Sequence, residues 1–119
     1  MNIRRSVAIG LLAAAVAGCG PTPPQAPFRQ AQRLDVSTGG ISTACGESYQ
    51  IRQFTPGDRR DLATLESTAL REARKLASVY ALNPQWIYQG ETVRQIVGEA
   101  ITYLHQCGLA QAAAPLVHR

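Results

Sequence analysis

Lysine is nearly absent from this chain of 119 residues: Lys75 is the only one among 12 basic side chains. There is no dense run of Lys and Arg and no interleaving of bases with aromatics, so a nucleic-acid partner is not expected. Histidine is limited to His105 and His118. Neither forms a metal-ligand spacing with a cysteine, and no metal is expected. Long apolar runs are missing too. The stretch Ser6 to Ala17 has 12 residues, about 18 Å of helix against a bilayer core of about 30 Å. It is too short to stay in a membrane as a stable span. Gly39-Gly40 lacks the companions of a phosphate-binding loop and reads as a break in the chain.

What is present begins with the first nineteen residues. Arg4 and Arg5 precede the apolar run, and Val16-Ala17-Gly18-Cys19 closes it. A charged start, a short apolar centre and small residues before a cut point are the layout of an export signal. The four closing residues resemble the lipobox of bacterial lipoproteins: an aliphatic residue, a small one, Gly or Ala, then Cys. That resemblance implies a signal peptide over 1–18, diacylglycerol on the Cys19 thiol, and cleavage before Cys19. It covers the processing signal alone and names no activity. Each buried methylene is worth about 0.8 kcal/mol, so two or more acyl chains hold a protein durably. Gly20 is not the Asp that commonly retains such proteins at the inner membrane. The expected place is therefore the periplasmic face of the outer membrane.

Cleavage after Gly18 leaves 101 residues, and removal of Arg4 and Arg5 leaves ten basic side chains against eight acidic, a net of +2. Residues 19–40 read as the lipidated Cys and a flexible linker, with four prolines between Gly20 and Pro27 favouring an extended, semi-rigid spacer. Cys45 and Cys107 remain as the one intramolecular pair, and an exported protein permits a disulfide between them. Two buried reduced thiols, or a cross-link to a partner, are the rival readings.

Residues 41–109 read as one small, mainly α domain. The segment Ile41 to Phe54 alternates around Tyr49 and Ile51 like a short strand, and equally suits a short helix. Thr55-Pro56-Gly57-Asp58 predicts a helix start. Leu62, Leu65, Ala69, Ala73, Leu76 and Tyr80 then form an apolar stripe at helical spacing, ending near Ala81 before Asn83-Pro84. Thr92 and Gln95 form a capping box for a second helix, with Val93, Ile96, Val97, Ala100, Ile101 and Leu104 on its inner face and Gly108 as its stop. The two helices should fold back as an antiparallel hairpin, with the Ile41–Phe54 segment packed across and tied by the disulfide. Residues 110–119, Ala-rich and interrupted by Pro115, are expected to be disordered.

Chemistry is thin. His105 and Cys107 are two apart on a helix, so they point about 200° from each other and do not form a Cys–His pair. Asp58 and Asp61 suit the first turn of a helix without further purpose. No catalytic residue, cofactor or small-molecule substrate is expected. Trp86, Ile87 and Tyr88 are the one cluster to watch, either stapling the connector to the core or forming a contact surface. The expectation is a lipid-anchored protein that works by binding, as a structural part of an envelope assembly, with inhibition of a periplasmic hydrolase as the alternative.

Overall fold

The computed structural model describes residues 24–117; the expected signal peptide and lipidation site Cys19, together with His118 and Arg119, lie outside them. Four helices dominate: α1 Phe28–Phe54, α2 Arg59–Leu82, α3 Val93–Gln106 and the short α4 Ala114–Val117. A two-stranded antiparallel hairpin, β1 Ile87–Tyr88 and β2 Glu91–Thr92, separates α2 from α3. The mainly α, disulfide-tied architecture is as expected, with the N-terminal segment taking the helical option.

That segment is much longer than anticipated. α1 starts at Phe28, so residues 28–40 are part of the folded unit and not of a linker. Its buried positions are Leu34, Ser37, Ile41, Ala44, Cys45 and Ser48. Their spacing is helical, but small and polar side chains occupy half the stripe, so hydrophobicity does not reveal it. Tertiary contact holds the helix where propensity is poor. The Ser37 hydroxyl donates to the Arg33 carbonyl at 2.8 Å, which satisfies it inside the core. Gly39-Gly40 does not break α1. Gly40 serves a close approach to α2, because a Cβ there would lie 2.5 Å from Glu72 Cγ.

Thr55 ends α1 instead of starting α2. Its N–H and its hydroxyl both donate to the Ile51 carbonyl, at 2.7 and 3.2 Å. Asp58 is the cap of α2, accepting from the Asp61 N–H at 3.2 Å. Four residues join the helices, so α1 and α2 run antiparallel. α2 buries Leu65, Ala69, Glu72, Ala73, Leu76 and Val79, close to the expected stripe, with Leu62 and Tyr80 half-buried at its flank.

α3 begins on the expected capping box. The Gln95 N–H donates to Thr92 Oγ1 at 3.1 Å, and the Thr92 N–H donates to Gln95 Oε1 at 2.8 Å. It buries Val93, Ile96, Val97, Ala100 and Leu104, with Ile101 half-buried beside them. Tyr88 at its start bonds Asp35 near the beginning of α1, and Cys107 at its end joins Cys45. α3 therefore runs parallel to α1, and the three helices form an up-down-up bundle. Gly108, at φ 80°, reverses the chain, and the Leu109 N–H bonds the Leu104 carbonyl at 2.9 Å.

The tail is ordered, contrary to expectation, through Val117. A 3₁₀ turn, Ala110–Ala113, leads into α4, and Leu109, Ala112, Ala113 and Leu116 are buried against α2 and α3. Those four residues make a short apolar stripe whose alanines permit close packing. Pro115 sits in the first turn of α4, where its missing N–H costs nothing. The folded unit thus spans Phe28 to Val117, with Pro24–Ala26 attached at the hairpin.

Candidate functional site

Cys45 and Cys107 form the expected disulfide, with Cα atoms 5.3 Å apart across 62 positions of sequence. Side chains around it close the end of α3. Ser48 Oγ donates to the Cys107 carbonyl at 3.0 Å. Arg52 donates through Nη2 to the Gly108 carbonyl at 2.9 Å and through Nε to Ser48 Oγ at 3.2 Å. The Cys107 and Gly108 carbonyls just past the helix are thus satisfied from α1, with a cation at the negative end of the α3 dipole.

Trp86, Ile87 and Tyr88 are half-buried, and the two aromatics pack against the core. Gln89 and Gly90 take positive φ, 51° and 84°, which makes the two-residue turn of a tight hairpin. Tyr88 Oη donates to Asp35 Oδ1 at 2.7 Å. Burial first, then that bond and the neighbouring charge, push the Tyr88 phenol up to about 12. The backbone of Ile87 is occupied as well. Its N–H donates to the Pro24 carbonyl at 3.0 Å, and its carbonyl accepts from the Ala26 N–H at 3.3 Å. Of the two readings, the cluster takes the stapling one. It clamps the incoming chain, α1 and the start of α3 together, and it does not stand out as an aromatic surface.

The more open feature is a groove between α1 and α3. Thr38, Ile41, Ile96, Glu99, Ala100 and Tyr103 line a cavity of about 260 Å³. It continues past Thr38, Ile96 and Glu99 into a smaller hollow of about 180 Å³ that reaches Tyr88, Gln89 and Glu91. Glu91 and Glu99 meet at this end. A side-chain hydrogen bond with Glu99 raises the Glu91 carboxyl above its ordinary value, with desolvation and the Glu99 charge adding to it. An apolar floor, a half-exposed Tyr103 and a carboxyl pair at one end suit an apolar side chain beside a cationic one. Sequence spacing could not find this groove, because it forms only where α1, as a helix, lies beside α3.

The remaining candidates stay apart. His105 is exposed, and its neighbour Cys107 is committed to the disulfide. Asp58 and Asp61 share a side-chain hydrogen bond that lowers Asp58 and raises Asp61. They do so as a helix cap at the surface. Among the described residues no group of three or more His, Cys, Asp or Glu could hold a metal ion, and no helix is long and apolar enough to cross a membrane. No protein-family model matches the chain, and no curated protein or solved structure is recognisably similar to it.

Proposed function

We propose that this chain is a bacterial lipoprotein, held through acyl groups on Cys19 at the periplasmic face of the outer membrane, that serves as a binding component of an envelope assembly. The observation that carries the anchor is Val16-Ala17-Gly18-Cys19 after Arg4, Arg5 and a short apolar run. The surface offered to a partner is the α1–α3 groove. Its floor is apolar, and Glu91 with Glu99 gives it a negative end. The fitting occupant is a protein segment carrying an apolar side chain next to Lys or Arg. Anchoring both proteins at one membrane raises their effective concentration, so a shallow groove suffices.

An inhibitor of a periplasmic hydrolase would present a protruding loop. The connections here are tight: four residues between α1 and α2, and two at the tip of the hairpin. That favours the adaptor reading over the inhibitor.

Two experiments test the proposal. Intact mass of the protein purified from membranes should show cleavage before Cys19 and added acyl chains, and Cys19→Ser should abolish incorporation of labelled fatty acid. A full-length unmodified polypeptide refutes the anchor. Affinity capture from membranes, run with wild type and with Tyr103→Ala/Glu99→Lys, should recover a co-purifying protein that the variant loses. Equal recovery by both refutes the groove.

A further inference from the structure

We infer that the first three turns of α1, together with Lys75 of α2, form a seat on the anionic headgroups of the membrane that holds Cys19. The inference rests on the lipid anchor proposed above and adds an orientation to it.

The first support is chain length. Pro24 and Ala26 are bonded to the backbone of Ile87, so the tether ends on the folded unit at Pro24. Cys19 is five residues away. Five residues span at most about 18 Å even when fully extended. α1 is 27 residues long, about 40 Å. The Phe28 end of the bundle is therefore held near the acyl chains, and the Phe54 end is not.

The second support is what that end displays. Phe28 is 76% exposed and Val36 54% exposed, on one side of α1. With Arg29, Gln32, Arg33 and Lys75 they line a shallow hollow of about 640 Å³. Lys75 is paired with Glu72 at 3.0 Å, the only ion pair among the described residues, so Arg29 and Arg33 face no carboxylate partner. The first turn of α1 carries no acidic residue. Arg29, in the first turn of α1, opposes the helix dipole, so fold stability does not account for it. Apolar side chains flanked by cations, placed one short tether from a bilayer, match a surface of phosphate headgroups over acyl chains.

The test uses the native lipidated protein reconstituted in vesicles, either DOPC alone or DOPC with DOPG at about 7:3. Flotation with the vesicles reads the anchor. Hydroxyl-radical footprinting reads the seat, with Phe54, 73% exposed and at the opposite end, as the internal reference. In DOPG vesicles Phe28 should oxidise at least about three-fold more slowly than Phe54. In DOPC, and in Arg29→Glu/Arg33→Glu on either vesicle, the two rates should approach each other while flotation persists. Flotation with equal Phe28 and Phe54 rates for wild type in DOPG overturns the seat and leaves the anchor standing. Protection of Phe28 that is the same in both vesicle types overturns the anionic headgroup as its occupant. Loss of flotation overturns the anchor and the seat with it.

Discussion

Reducing the Cys45–Cys107 bond should cost this domain much of its stability. The cross-link closes a loop of 62 positions between the middle of α1 and the end of α3. In the chain-entropy treatment a loop of that size restricts the unfolded chain by roughly 4 kcal/mol at 25 °C. A single small domain has about 5–15 kcal/mol in total. About 1 kcal/mol moves the melting temperature of a domain this size by roughly 4–8 °C, so full reduction should lower it by at least about 15 °C. The native fold loses little directly. Ser48 and Arg52 still hold the Cys107 and Gly108 carbonyls, and Leu104 and Leu109 still bury their side chains. The reduced protein should therefore keep its helical circular dichroism in the cold while melting earlier. The assay is thermal and urea unfolding of one preparation with and without dithiothreitol, after thiol titration confirms two new free thiols. A melting temperature that falls by less than about 3 °C would refute the entropic argument. Loss of helical signal at low temperature would refute the claim that side-chain packing alone can hold the end of α3.

Three further outcomes follow from particular contacts. Gly39→Ala, whose Cβ meets nothing within 4 Å, should raise stability by about 1 kcal/mol in urea unfolding, because alanine favours a helix interior. Gly40→Ala should lower it by displacing Glu72, and equal effects at the two sites would contradict the close approach of α1 to α2. Leu116→Ala should cost about 2–4 kcal/mol as a buried side chain is lost, whereas Val117→Ala at the exposed neighbour should be nearly silent; a silent Leu116→Ala would mean α4 does not pack. Glu91 has a carboxyl raised in the folded state, so the native protein binds the proton more tightly than the unfolded chain. Its contribution is present at low pH and is lost as pH rises from 4.5 through the raised folded value. Glu91→Gln should therefore flatten that part of the stability profile relative to wild type, measured by urea unfolding between pH 4 and 7, and an unchanged difference across the range would rule out the pairing with Glu99.

The parts of the fold legible in sequence were those written in local chemistry. The Thr92–Gln95 box, the stripe from Leu65 to Leu76 and the stop at Gly108 each state their structure within a few residues. α1 is written in tertiary terms. Ser37, Ser48 and Gly40 look like loop residues until the Cys107 carbonyl and Glu72 are set against them. The tail misleads for a related reason: alanines carry a weak hydrophobic signal, yet Ala112 and Ala113 are buried because their smallness permits contact. The start of α2 slipped from Thr55 to Asp58 because both can cap, and Thr55 is used by the preceding helix. Of the candidate sites, the disulfide was visible because setting Cys19 aside for the proposed acyl chains leaves one pairing. The groove was not, since it needs α1 to be a helix lying beside α3.

The bond between Cys45 and Cys107 also sets a schedule. A chain made from its N-terminus presents α1 first, with a sparse apolar face and no partner. Cys107 follows 62 positions later, a wait of roughly 3–12 s at ordinary elongation rates. Leu109 through Leu116, which complete the interior, are made later still. The cross-link that ties α1 to α3 therefore forms only after α2, the helix lying between them in sequence, has been made.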